Sequence, residues 1–453
     1  AIGRLALTTN TTANNNTAVG FESLKFNTTG ADNTAVGANS LDAATTGGFN
    51  TAVGKSSLSA NTTGQYNVAI GKQALDANTT AIDNTAVGTE AMQTNTTGAN
   101  NTAIGKAALA ANTTGIRNHA VGHSALLSNT TGSDNVAIGF TALDNNTTGT
   151  DNVAVGNNAL DAATTAANNT AVGHNALKTN TTANDNTAFG HSAGACTTTG
   201  AQNVYIGREA GFTGTTAHSN VVIGKSAMQE LTTGTQNTAI GTFALFENTT
   251  GDSNTSAGHN ALRNTTTGQQ NTGVGEAAGL ELTTGSNNLL IGKSAGRSGS
   301  PSGTITTASN NVVLGNDSIS NLFCADTSIS SSDLRDKTDI EDFTHGLDFV
   351  TKLNPKTYRW DKRSWYVTND NQSILDVTPD GSKKRNKKHI GFLAQDVLAL
   401  EKEIGFANDK DDMLVVNQTE DETRYGLKYE RLVPVLVNAI KELTARVKEL
   451  ENE

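Results

Sequence analysis

Hydrophobic and small polar residues alternate in a pattern that repeats every 17 residues through residues 1–315. Each repeat opens with a sequence such as Asn33-Thr-Ala-Val-Gly37, in which small and branched side chains alternate as in a strand. Leu41 follows as a second apolar residue, and Thr45-Thr-Gly47 is typical of a second short strand and a turn. A short fixed period predicts an all-β solenoid, in which stacked coils form ladders of like residues.

The register of the repeat is kept almost without slippage. Asparagines open successive copies at Asn16, Asn33, Asn50, Asn67, Asn84, Asn101 and Asn118, and again at Asn254, Asn271 and Asn288. In four copies glycine replaces the leucine, at Gly194, Gly211, Gly279 and Gly296. The residue that follows is large and apolar in two of them, Phe212 and Leu280, which predicts a rewired turn with its apolar side chain shifted by one place.

One coil holds few large apolar side chains. Two of them, at about 1.5–3 kcal/mol each, do not offset the entropy lost when a whole coil is ordered. We therefore expect neighbouring chains to contribute, in a homotrimer whose alanine-rich faces pack about a threefold axis. The repeat resembles the Ser-Val-Ala-Ile-Gly-type repeats in the heads of trimeric autotransporter adhesins. Those heads are trimeric parallel β-rolls with shorter coils, so the resemblance implies a trimeric solenoid without fixing its cross-section.

Charge separates the end of the chain from the repeats. Residues 332–453 hold 20 of the 32 Lys and Arg, 24 of the 43 Asp and Glu, and both tryptophans. This predicts a second domain at 332–453, joined to the solenoid by a linker at 316–331. The net charge of −11 gives no reason to expect nucleic-acid binding. Cys196 and Cys324 are too few for a disulfide framework or a zinc site, and we expect no cofactor or metal.

The start of the chain falls within a repeat. Residues Ala1-Ile-Gly3 stand in register as the middle of a repeat, so we expect more protein before them that carries whatever attaches the solenoid. No apolar run has membrane-spanning length, so membrane insertion is not expected.

Four sequence blocks lie in the charged domain. They are Ser332-Asp-Leu-Arg-Asp-Lys337, Leu353-Asn-Pro-Lys-Thr-Tyr-Arg-Trp360, His389-Ile-Gly-Phe-Leu-Ala-Gln-Asp396 and the segment from Leu427 to Leu443. In this order they resemble the intramolecular chaperone domain of phage tail fibres and tailspikes, a self-cleaving, endosialidase-type family of serine peptidases. Asp396 departs from the family, where glutamate is commoner. The resemblance implies a domain that assists assembly and then removes itself.

The resemblance also implies a catalytic pair. In that family a serine and the lysine five residues later act together, which transfers here to Ser332 and Lys337, with cleavage between Ser331 and Ser332. The chemistry is plausible, because a neutral lysine in a buried setting can take the proton of a serine hydroxyl. The expected activity is a single cut within the chain, with no external substrate.

The last residues of the chain have a heptad pattern that begins near residue 429. Its apolar positions are Val433, Leu436, Ile440, Leu443, Val447 and Leu450, with charged residues such as Lys441 and Glu449 between them. We interpret this as a trimeric coiled coil that brings three chains into register before the repeats pair. Identical repeats otherwise mispair by one coil at little cost.

Three functions stay open from the sequence. The first is the distal part of a phage tail fibre, made in the host cytoplasm and carried in the virion. It would be attached to upstream tail-fibre or baseplate components and would bind a host surface receptor, in particular a glycan. The alternatives are a tailspike that degrades polysaccharide and a bacterial trimeric surface adhesin. Scattered features carry less weight: the histidines that follow the coil glycines, the basic run from Lys383 to Lys388, and aromatic residues along the repeats such as Tyr66 and Tyr205.

Overall fold

The computed structural model describes residues 1–319, 337–367, 373–419 and 423–452. The chain forms two compact units, Ala1–Leu289 and Leu290–Glu453. The first is a solenoid, and the second joins one last coil to an α+β domain that ends in a helix. The predicted fold class, a β-solenoid of 17-residue coils followed by an α+β domain with a C-terminal helix, is confirmed in these units.

Each coil of the first unit contributes one short strand. Neighbouring strands pair in parallel with a fixed offset, as in the pairing of Thr34 with Thr51 and Ala35 with Ala52. The strands are β1 (Thr17–Val19), β2 (Thr34–Val36), β3 (Thr51–Val53), β4 (Val68–Ile70), β5 (Thr85–Val87), β6 (Thr102–Ile104), β7 (His119–Val121), β8 (Val136–Ile138), β9 (Val153–Val155), β10 (Thr170–Val172), β11 (Thr187–Phe189), β12 (Val204–Ile206), β13 (Val221–Ile223), β14 (Thr238–Ile240), β15 (Thr255–Ala257) and β16 (Thr272–Val274).

The interior of a coil is built from the small residue of the strand and the leucine that follows it. Ala35 and Leu41 are both fully buried, and Leu41 has a left-handed backbone, with φ of 52°, that turns its side chain inward. The third residue of each strand, which is Val or Ile in most coils, faces outward instead, as Ile104 does with 42 % of its surface exposed. The strand alanines fill their own coil, so they are not available to pack about a threefold axis, and the homotrimer itself stays a prediction.

Two structural rows explain why the sequence repeats asparagine and glycine. The buried Asn33 accepts a hydrogen bond at Oδ1 from the backbone N–H of Asn50, and its Nδ2 donates to the carbonyl of Gly47. The asparagine ladder that we predicted is thus satisfied without water. At Gly37 the backbone has φ of 141°, and an added Cβ would lie 2.3 Å from the carbonyl oxygen of Gly54. No larger residue fits there.

The Thr-Thr-Gly segment differs from the prediction. It bonds to the next coil, as in the 3.0 Å hydrogen bond from the Thr28 N–H to the Thr45 carbonyl, but the chain is bent there. Within the described residues this segment contributes no strand. This composition suits a bend, because glycine has no side chain to bury and Thr46 is exposed.

Two of the four coils with glycine in place of leucine, those of Gly194 and Gly211, are filled from the opposite wall. Tyr205 stands where a strand alanine is usual and is fully buried. A Cβ at Gly194 would lie 2.6 Å from the Tyr205 ring, and one at Gly211 would lie 2.1 Å from it. The predicted shift of the apolar side chain to Phe212 is wrong, because Phe212 is only half-buried and the tyrosine occupies the space of two leucines.

The second unit begins with the last coil, residues 290–319, which we call the terminal coil. Its strand β17 (Leu289–Ile291) starts at the boundary between the units, and β18 (Val312–Leu314) follows an insertion. The remaining elements are α1 (Leu347–Val350), β19 (Lys356–Tyr358), β20 (His389–Gly391), α2 (Ala394–Glu403), β21 (Val416–Gln418), β22 (Tyr425–Leu427) and α3 (Leu432–Glu451). Short 3₁₀ turns lie at Arg363–Tyr366, Ile374–Asp376 and Tyr429–Arg431.

The α+β domain contains two antiparallel strand pairs, and its buried core comes from the three helices and the start of β21. Strand β19 pairs with β20, and β21 pairs with β22. Phe349, Val397, Val415, Val416, Leu432 and Val435 make the buried cluster. The fully buried Glu401 of α2 accepts hydrogen bonds from the backbone N–H groups of Leu414, Val415 and Val416, which fixes the start of β21. None of the helices in the described ranges has the length and apolar character needed to span a bilayer.

Candidate functional site

The predicted catalytic pair lies at the edge of the described chain. Ser331 and Ser332 fall outside the described residues, and Lys337 is the first described residue after them, at an exposed position. The pairing of Ser332 with Lys337 and the cut between Ser331 and Ser332 therefore stay predictions.

The segment that follows Lys337 is tied to the C-terminal helix. Asn438 of α3 donates a hydrogen bond to the carbonyl of Phe343, and Glu442 accepts one of 3.0 Å from the Leu347 N–H. Phe343 also packs against the rings of His345 and Phe406. The chain is thus anchored to α3 within a few residues of Lys337.

Helix α3 has two apolar faces. Leu432, Val435 and Ala439 are buried against the domain core. The six predicted heptad residues, by contrast, are all exposed, from 45 % at Leu436 and Val447 to 71 % at Leu450. Pro434 lies in the first turn, where its missing N–H disturbs no helical hydrogen bond. The exposed row suits the seam of a coiled coil, and its pairing stays a prediction.

The solenoid carries a second exposed apolar row, formed by the outward third residue of each strand. We call this row the outer stripe. It consists of Val19, Val36, Val53, Ile70, Val87, Ile104, Val121, Ile138, Val155, Val172, Phe189, Ile206, Ile223, Ile240, Ala257 and Val274. None of these sixteen side chains is buried, and a contiguous apolar row of this size is uncommon on a monomer.

A buried carboxylate joins the terminal coil to the α+β domain. Asp317 has 4 % of its side chain exposed and accepts two hydrogen bonds from Nη1 of Arg424, at 2.8 and 3.1 Å. Lys362 Nζ lies 3.4 Å from Asp317 Oδ1, and Ser364 Oγ donates to Oδ2. Arg424 also donates through Nη2 to the carbonyl of Ser298. We call these five groups the terminal clamp.

The clamp was missed by sequence reasoning. Asp317 stands among polar residues in the terminal coil, and Arg424 lies more than a hundred residues away, outside any motif. A lone charge carries no sequence signal of its partner.

The basic run is held against aromatic side chains. Arg385 lies over the Trp365 ring at 4.8 Å, and Lys383 lies over the Tyr366 ring at 5.2 Å. Arg385 also donates its backbone N–H to the Trp360 carbonyl. The basic run therefore packs against aromatic side chains of its own unit.

The histidines and aromatic residues of the solenoid form stacked pairs along the surface. His174 stacks on His191 with ring centroids 5.2 Å apart, and Phe49 stacks on Tyr66 at 5.1 Å. Among the described residues no group of three or more His, Cys, Asp or Glu is placed to hold a metal ion. Tyr205 is fully buried, so it is not a surface contact for a sugar.

In a comparison with known protein families, residues 332–406 match the Peptidase_S74 model, which is described as chaperone of endosialidase. This segment is a Peptidase_S74 chaperone domain. The match begins at Ser332 and includes Lys337 and the blocks at 353–360 and 389–396, whereas α3 lies beyond it. No curated protein and no solved structure matches the chain.

Proposed function

We propose that this chain is the distal part of a phage tail fibre, which assembles as a homotrimer and then removes its own chaperone. The observation that carries the proposal is the order of the parts. A parallel β-solenoid is followed by a Peptidase_S74 domain whose first residue is the predicted nucleophile, Ser332. A chaperone domain has a task here, because the coils of three proposed chains are nearly identical and have to be aligned in register before they assemble.

Two exposed apolar rows support the trimer. The outer stripe runs along the solenoid, and the heptad row runs along α3. Burial of such rows against two further copies would supply the apolar contact that a single coil lacks. The outer stripe replaces the alanine face as the proposed solenoid interface.

The processed solenoid is proposed to contact a glycan on the host surface. The stacked Phe49 and Tyr66 rings support this, because each has 53 % of its surface exposed and aromatic faces pack well against sugar rings. A screen of the processed protein against glycans and whole cells tests this part of the proposal, and no binding in either format contradicts it.

Autoprocessing is tested by expressing the chain with and without its catalytic pair. We expect the wild type to yield a C-terminal fragment that begins at Ser332, and Ser332→Ala and Lys337→Ala to remain uncut, because each removes one member of the nucleophile and base pair. The fragment is identified by denaturing electrophoresis and N-terminal sequencing.

Matched variants control for nonspecific loss. Ser330→Ala and Lys356→Ala remove the same side chains from nearby positions, and both should cut like the wild type. Cleavage of the Ser332→Ala chain at the wild-type rate contradicts the assignment of the nucleophile.

A further inference from the structure

The proposed cut separates the acceptors of the terminal clamp from its donors. Both acceptors, the Asp317 carboxylate and the Ser298 carbonyl, precede Ser331 in the chain. The three donors, Lys362, Ser364 and Arg424, all follow Ser332. None of the five groups belongs to the bond that is cut, so cleavage of that bond removes none of their contacts.

Burial makes this contact strong. Asp317 is 4 % exposed and Arg424 is 15 % exposed at the side chain, and the guanidinium is shared between the carboxylate and the Ser298 carbonyl. Charge-assisted pairs held away from water are stronger than surface pairs and are less screened by salt. Once one partner leaves, the other charge has to be hydrated again or remain buried without its counterion.

The backbone of Asp317 is held in place by its own coil. The Asp317 N–H donates a 2.7 Å hydrogen bond to the Gly299 carbonyl, which lies beside Ser298 in the insertion. Both acceptors are therefore positioned by the terminal coil itself. The terminal coil carries both acceptors, and the α+β domain supplies the donors Lys362, Ser364 and Arg424.

We infer that the terminal clamp keeps the Peptidase_S74 domain bound to the terminal coil after the Ser331–Ser332 bond is broken, so that cleavage and departure are separate events. The inference rests on the proposed autoprocessing. After cleavage the particle therefore stays together. The C-terminal fragment remains bound to the terminal coil through the clamp instead of through the peptide bond.

The test follows the C-terminal fragment after cleavage. Processed wild-type protein is separated on a native sizing column at low salt, and the time at which the fragment leaves the solenoid is measured. In Asp317→Asn, which keeps the shape and removes the charge, the fragment should leave at least about thirtyfold faster, as for the loss of one partner of a buried charge pair. Asp376→Asn removes an exposed carboxylate from the same unit and should match the wild type.

A second variant changes the donor side of the clamp. Arg424→Gln should speed departure to a similar degree, and the double variant with Asp317→Asn should add little more, because both remove one shared interaction. This series stays informative even where one variant assembles poorly. Fully additive effects in the double variant contradict a direct pair.

Two results overturn the inference. One is an Asp317→Asn fragment that stays bound as long as the wild-type fragment. The other is wild-type protein in which every cut fragment is already free. A failure of autoprocessing is seen separately, as the absence of any cut. In that case a Ser332→Ala chain with a protease recognition sequence inserted between residues 320 and 331 supplies the cut, and the same departure is measured.

Discussion

At the scale of single residues, the solenoid leaves some carboxylates poorly hydrated. Asp144 is half-buried, and its Oδ1 accepts no hydrogen bond from any described residue. Burial raises its pKa, the neighbouring Asp161 raises it further, and His123 opposes the rise. A carboxylate in this state is tolerated by the fold and does not stabilise it.

The sign of the effect gives a pH prediction. Because the folded-state pKa is raised above the unfolded value, the charged form weakens the fold at neutral pH, and this penalty disappears as the pH falls through the folded pKa. We expect Asp144→Asn to stabilise the solenoid at pH 7 by less than about 1 kcal/mol, since the group is only half-buried. The gain should vanish in acid, as measured by guanidinium unfolding with circular dichroism. Asp151→Asn removes an exposed carboxylate and is the matched control, and an equal response from both variants contradicts the argument.

At the scale of the coil, the sequence predicted the strands, the asparagine ladder and the tight glycine, because each of these repeats in every copy. The direction of the side chains was not predicted. Ala35 and Val36 are both apolar, and alternation alone does not say which of two apolar faces is inside. The left-handed backbone conformation at Leu41 decides this. It directs the Leu41 side chain toward Ala35 and leaves Val36 outside.

The exchange of Tyr205 for two leucines had a signal that was overlooked. A large residue in an alanine position stands between two glycines in leucine positions, which is the pattern of volume compensation in a packed core. Such compensation is missed when each residue is compared only with the equivalent residues of the other repeats, because the change at Tyr205 and the changes at the glycines fall at different positions of the repeat.

The exchange predicts a rescue. Tyr205→Ala alone should destabilise the solenoid by about 3–5 kcal/mol, because it empties the space that the ring fills. Gly194→Leu alone should also destabilise it, since its Cβ would already lie 2.6 Å from the ring. The triple change Tyr205→Ala, Gly194→Leu and Gly211→Leu restores the usual coil and should recover most of the loss in guanidinium unfolding. A triple variant no more stable than Tyr205→Ala would show that the three residues do not share one space.

At the scale of the whole molecule, the order of the parts could be predicted, whereas the contacts between distant segments could not. The four blocks resembled a known family in sequence, and the family match covers three of them. The terminal clamp depends on residues far apart in the chain that no short pattern connects. The catalytic pair and the heptad seam remain predictions, because one lies partly outside the described residues and the other requires a second chain.

The outer stripe makes the trimer testable. Ile138→Glu places a charge in the middle of the stripe, where a trimer interface would bury it without a partner, so we expect the processed protein to lose its trimeric mass. Analytical ultracentrifugation measures this. Thr148→Glu adds the same charge at an exposed position outside the stripe and should leave the mass unchanged. Trimers of normal stability in Ile138→Glu would place the interface elsewhere.

The positions of Trp360 and Trp365 have an optical consequence. Both belong to the segment that packs beside the clamp, and the chain has no tryptophan before residue 332. Residues 1–331, freed of residues 332–453 by the proposed cut, would therefore give no tryptophan emission and would hold Tyr66 and Tyr205 as their only tyrosines. The indole signal of protein purified from this chain after cleavage would thus report how much of the discarded domain still accompanies it.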